Sequence, residues 1–135
     1  MCNGWHIVVS NERKGPFFTE TPEEMKKLSL LSDLIVGAVE EHVNYSACEF
    51  WQDGKNIWKI DYLGCEEPSI VKTTGALPDC FANIKQEFEA LQASDENTDY
   101  LIEIPLRVCQ RLCGYVHDQD IEGIGEDAFY ELERI

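Results

Sequence analysis

Tyr45-Ser46-Ala47-Cys48-Glu49-Phe50-Trp51-Gln52-Asp53-Gly54-Lys55-Asn56-Ile57-Trp58-Lys59-Ile60-Asp61-Tyr62-Leu63 is the stretch on which the fold turns. Asp53-Gly54 stands at its centre between two runs rich in aromatic and β-branched residues. A two-residue type I′ turn needs positive φ at both central positions, and Asp-Gly supplies it at low cost. The pattern predicts antiparallel strands over Tyr45 to Gln52 and Lys55 to Leu63. With that turn, Trp51 faces Asn56, Glu49 faces Trp58, Ala47 faces Ile60 and Tyr45 faces Tyr62. This aromatic-rich set is expected to face the core. Ser46, Cys48, Phe50, Gln52, Lys55, Ile57, Lys59 and Asp61 form the other, wetter face.

The same register makes Glu49 the most informative polar residue, because it sets a carboxylate among Tyr45, Trp51 and Trp58. A carboxylate on such a face pairs with a cation or holds its proton to a higher pH, and either arrangement is typical of functional sites. The competing expectation is a protruding hairpin end that leaves Glu49 solvated, since charged residues are seldom buried.

Before the hairpin, Trp5 to Ser10 reads as a short inner strand ending in a turn over Asn11 to Gly15. Thr21-Pro22-Glu23-Glu24 then carries a capping box with Pro in the first helical turn. Leu28, Leu31, Ile35, Ala38, Val39 and His42 recur at helical spacing, which predicts one helix running to about Val43, with a break near Ser29 to Ser32. After the hairpin, Ser69 to Thr73 reads as an extra short strand. A helix opens near Pro78 with the stripe Phe81, Ile84, Phe88 and Leu91. Tyr100 to Ile104 reads as a final strand, and Pro105 opens a short helix stopped by Gly114. Residues 116–135 form an acidic C-terminal extension that Ile121, Ile124, Phe129, Tyr130 and Leu132 can anchor onto the body.

These elements predict an α+β fold, an antiparallel sheet with helices packed on one face. Their order matches the ferredoxin-like split βαβ pattern with an extra strand, a C-terminal helix and the acidic tail. The length, 135 residues, and an apolar fraction of 44% suit one domain with one core.

Charge narrows the function classes. Twenty-six acidic residues against eleven basic ones give a formal net charge of −15, the wrong sign for a protein held to nucleic acid or anionic membrane by phosphate contacts. The acidity is uneven: Met1 to Cys65 holds ten acidic and six basic residues, Glu66 to Ile135 sixteen and five. No apolar run is long enough to span a bilayer, and the N-terminus lacks a basic segment followed by an apolar one, so the chain reads as cytoplasmic. In that compartment the six cysteines are expected to be reduced thiols packed as small hydrophobes.

Motifs for chemistry are sparse. Cys109, Cys113 and His117 would share a helical face as metal ligands only if the helix continued past Gly114. The ordinary apolar stripe of Leu106, Val108, Cys109, Leu112 and Cys113 accounts for the cysteines, so no metal is expected. Asp118-Gln119-Asp120-Ile121-Glu122-Gly123 opens like a calcium loop, but its twelfth position is Phe129 where a bidentate carboxylate is required. His6, His42 and His117 carry no spacing that marks a catalytic base. No phosphate-cradling glycine loop occurs, so no cofactor is expected.

Val39-Glu40-Glu41-His42-Val43, the run Glu49 to Trp58, and later Ile104-Pro105-Leu106 with Gly114-Tyr115-Val116-His117-Asp118 resemble small bacterial proteins that share a Trp-rich Asp-Gly hairpin and a Gly-Tyr-x-His-Asp segment. The resemblance implies a bacterial single-domain protein; no activity is assigned to that group and no site residue comes with it. From the residues, the leading expectation is a non-enzymatic, acidic protein-binding domain, an inhibitor or immunity-type partner of a basic protein. Glu49, Trp51, His117, Asp118, Phe129 and Tyr130 are its candidate contact residues. The alternative is a small enzyme or ligand-binding domain with a pocket between sheet and helix that uses Glu49, His117 or Asp118.

Overall fold

A computed structural model describes residues 4–6, 22–65 and 69–114. Within them α1 (Pro22–Ser29) precedes β1 (Leu34–Glu40) and a 3-10 turn over Glu41–Val43. The strands β2 (Tyr45–Gln52), β3 (Lys55–Leu63) and β4 (Val71–Gly75) come next, then α2 (Phe81–Ser94) and α3 (Glu103–Cys113). The sheet runs β1-β2-β3-β4 with every neighbour antiparallel. The α+β class and the antiparallel sheet therefore hold, as does the extra short strand, two residues later than its sequence range. The interleaved ferredoxin-like order is not the one seen among the described residues, where the strands pair in simple succession. Its expected first strand lies largely outside them, only Trp5 packing against the core and His6 exposed. The extension over residues 116–135 lies outside them entirely.

The turn forms as expected, with Asp53 at φ 52° and Gly54 at φ 78°. The register does not stay even. Gln52 pairs with Lys55 and Trp51 with Asn56, but Phe50 pairs with Trp58, so Ile57 is an extra residue and the ladder is offset from there on. A one-residue offset exchanges faces. Trp58, Ile60 and Tyr62 are buried as expected, but their cross-strand partners are Phe50, Cys48 and Ser46 rather than Glu49, Ala47 and Tyr45.

Two helical and strand assignments also change. The expected helix to Val43 stops at Ser29, and Leu34 to Glu40 is a strand. Ile35, Val36 and Val39 are β-branched and Gly37 weakens a helix by about 1 kcal/mol, so local preference already favours extension. Leu28 and Leu31, two members of the helical stripe, are 41% and 85% exposed, which shows that no packing rewards the longer helix. Tyr100 to Ile104, read as a strand, is a turn entering α3, with Pro105 as the third helical residue, where a missing N–H costs nothing. Gly114 ends α3 as expected, at φ 81° with its N–H donated to the Gln110 carbonyl at 2.7 Å.

The core joins one sheet face to α2 and α3 through Cys48, Trp58, Ile60, Phe81, Ile104, Val108, Cys109 and Cys113. Gly37 lets α3 approach: a Cβ there would lie 3.1 Å from the Cys109 Sγ. Ser46, fully buried, donates its hydroxyl to the Ile102 carbonyl at 2.7 Å and fixes the start of α3 over β2. At the far end of the hairpin, α1 is tied on by Ser29, whose carbonyl accepts from Asp53 N–H at 3.1 Å and whose hydroxyl accepts from Gly54 N–H at 3.0 Å.

Tyr62 donates its hydroxyl to Asp99 Oδ2 at 3.0 Å, linking β3 to the loop before α3. Burial, that hydrogen bond and the Asp99 charge push its phenol from the ordinary 10.0 up to about 12. The unfolded chain releases this proton first as pH rises, so the stabilisation is complete below pH 10 and is lost between 10 and 12. Urea midpoints of wild type and Tyr62→Phe across that interval are expected to converge; a constant gap would show that Tyr62 does not titrate late.

Candidate functional site

The sheet face turned away from α2 and α3 carries Tyr45, Ala47, Glu49 and Trp51 on β2, with Lys59 and Asp61 on β3. The alternation of β2 places them there, once the bulge at Ile57 has sent Cys48 and Phe50 to the core. The bulge also decides Glu49's partner. In an even ladder Glu49 would oppose Trp58; offset by one, it opposes Lys59. Lys59 Nζ lies 3.6 Å from Glu49 Oε1, with the Glu49 side chain 13% and the Lys59 side chain 36% exposed. Trp51 Nε1 donates to Glu49 Oε2 at 3.4 Å, and Asn56 Nδ2 to Oε1 at 3.5 Å. The cation-paired alternative for this carboxylate is the one realised, and the solvated one is not.

Tyr45 stands on the same face. Burial, above all, raises its phenol pKa; Lys59 pulls it down, while Asp61 and Glu49 add to the rise. The cluster thus combines a shielded carboxylate, two polar-edged aromatic rings and one half-exposed ammonium. Its contacts to Glu49 are long for charge-assisted bonds, which run nearer 2.7–2.9 Å, so an incoming cationic donor has room to improve on them.

Of the sequence candidates, Glu49 and Trp51 are brought together. His117, Asp118, Phe129 and Tyr130 lie outside the described residues, so their relation to this face is not part of the geometry. Lys59 and Asn56, which complete the cluster, were not singled out by sequence; Asn56 faces Trp51 in the even register too, whereas only knowledge of the bulge would have pointed to Lys59. The Cys109–Cys113 pair belongs to the core. The Cys113 hydrogen bond lowers the Cys109 pKa, but the Cys48 hydrogen bond, burial and the Cys48 charge outweigh it and leave the thiol at about 12. Such a thiol is a packing group rather than a nucleophile. Among the described residues no cluster of three His, Cys, Asp or Glu side chains is arranged to hold a metal.

An open cavity of about 810 Å³ lies elsewhere, between α2 and α3, lined by Ile84, Glu87, Phe88, Arg107, Gln110 and Arg111. Glu49, expected at a pocket between sheet and helix, does not line it. No helix among the described residues is long and apolar enough to cross a membrane.

Set against known protein families, curated proteins and solved structures, the chain matches none. The resemblance to small bacterial proteins therefore brings no family membership with it, and function rests on this chain's own residues.

Proposed function

We propose that the chain is an acidic, non-enzymatic protein-binding domain of the inhibitor or immunity type, which receives a basic protein on the Tyr45–Glu49–Trp51 face. The observation that carries this reading is Glu49: a side chain 13% exposed, flanked by an indole N–H and an amide, and paired at 3.6 Å with a lysine that is itself 36% exposed. An arginine or lysine of a partner can take over from Lys59 at that carboxylate, and Trp51 and Tyr45 supply the rigid aromatic area that anchors interfaces. The formal charge of −15 would steer such a partner from a distance.

Glu49→Gln keeps size and hydrogen-bonding capacity and removes the charge. It is expected to change folding stability by no more than about 1 kcal/mol, because a partly exposed ion pair contributes little. Partner capture should fall by about tenfold or more, the usual result of leaving one side of an interfacial charge pair alone. The test is quantitative pull-down from the native lysate at low and high salt, with wild type, Glu49→Gln and Trp51→Ala as bait. A basic protein held by wild type at low salt and lost by both variants supports the proposal. Equal capture by all three, or none at either salt, overturns it.

A further inference from the structure

The cavity between α2 and α3 has a different character from the rest of this acidic chain. Ile84 and Phe88 give it an apolar floor and also touch the main core, so their positions are set by packing. Four polar residues rim it, Glu87 from α2 and Arg107, Gln110 and Arg111 from α3, with unequal commitments. Arg107 donates to Glu103 Oε2 across 3.1 Å and to Gln110 Oε1 at 2.8 Å, so its guanidinium is already engaged. Arg111, one turn further along, is exposed and makes no hydrogen bond or ion pair among the described residues. A planar guanidinium beside an apolar floor fits a carboxylate bidentately, with the rest of the ligand lying on the ring and the isoleucine.

Charge then selects within the anions. Glu87 lines the same cavity, and the chain as a whole is at −15, so every additional negative charge on a ligand meets repulsion with only one uncommitted cation to offset it. Phosphate esters and dicarboxylates are disfavoured on that account. The volume, about 810 Å³ and open to solvent, accommodates a small molecule with an extended apolar body. We infer that the groove between α2 and α3 binds a small monocarboxylate with an apolar body, its carboxylate on Arg111 and its body on Ile84 and Phe88. This site is separate from the Glu49 face and does not depend on the protein-binding proposal.

The test uses the full chain with octanoate as probe, octan-1-ol as the uncharged control and octanedioate as the doubly charged one, followed by two-dimensional amide NMR titration. Octanoate is expected to shift the amides of residues 84–88 and 107–111 saturably below about 10 mM. Octan-1-ol, octanedioate and the Arg111→Gln variant should each weaken binding by about tenfold or more. Arg111 is exposed, so Arg111→Gln should melt with wild type, and Glu49→Gln should bind octanoate unchanged. Octanoate binding that survives Arg111→Gln, octan-1-ol binding as tightly as octanoate, or no saturable shift at these residues would each overturn the inference.

Discussion

Gly75→Ala is expected to detach β4 from the sheet and to lower the stability of the domain by about 2–4 kcal/mol. Gly75 lies at φ 79°, a left-handed conformation that costs an L side chain about 1–2 kcal/mol on its own. Space makes the position stricter still. A Cβ at Gly75 would overlap the carbonyl oxygen of Ile57 and press on the Trp58 Cα, and these are backbone atoms that no rotamer change can move away. Ile57 is the bulged residue of β3, so the same irregularity that sets the faces of the hairpin also brings its carbonyl toward Gly75.

The strand has little with which to resist. Lys72, Thr73, Thr74 and Gly75 are exposed and only Val71 is packed against the core, so β4 is held chiefly by its ladder from Tyr62↔Val71 to Trp58↔Gly75. Urea denaturation gives the magnitude, and amide exchange gives the place: protection should fall in residues 71–75 and on the facing stretch of β3 first. Thr74→Ala, next door and exposed, is the control and should stay within about 0.5 kcal/mol of wild type. A Gly75→Ala variant as stable as Thr74→Ala would show that β4 does not run as described.

The contrast between the two ends of β3 explains how much of this molecule can be read from sequence. Asp53-Gly54 is a local device: two residues require positive φ, and the turn follows without reference to anything distant. The stop of α3 at Gly114 is legible for the same reason. The bulge leaves no such mark, since Asn56-Ile57-Trp58 has no glycine and no break in composition, and the extra residue is rewarded only when Trp58, Ile60 and Tyr62 meet the helices. Leu34 to Val39 is ambiguous in a different way. It is apolar at every spacing, so helical and extended periods both fit, and the decision falls to the approach of Cys109 onto Gly37, a contact between residues far apart in the chain that no local pattern announces.

The candidate site inherits this division. Glu49 and Trp51 are visible in the sequence because a carboxylate stands between aromatic residues on one strand. Lys59 is not, because its place opposite Glu49 exists only after the bulge. Arg107 and Arg111 are legible as the polar side of the α3 stripe, whereas the groove they rim requires α2 to lie alongside, a packing fact that neither helix announces.

Ile104→Ala is expected to cost about 3–4 kcal/mol, the middle of the range for deleting a buried aliphatic side chain. Ile104 is fully buried in the first turn of α3 and belongs to the cluster that joins this helix to Cys48, Trp58 and Ile60. Backbone held on both sides limits collapse of the resulting cavity, because Ser46 fixes the Ile102 carbonyl at 2.7 Å and the Ile104 N–H is bonded to the Leu101 carbonyl at 3.2 Å. The same substitution discriminates the two readings of this segment. In a strand from Tyr100 to Ile104, residues 102 and 104 would share a face and Ile102→Ala would cost as much as Ile104→Ala. In the observed turn and helix, Ile102 is only half-buried, whereas Val108, one turn after Ile104 on the same helical face, is as fully buried as Ile104. Ile104→Ala and Val108→Ala should therefore be the damaging pair, with Ile102→Ala milder and Leu91→Ala, at a site 39% exposed, milder again. Chemical denaturation of the four variants checks the order, and equal losses at Ile102 and Ile104 would return the segment to a strand.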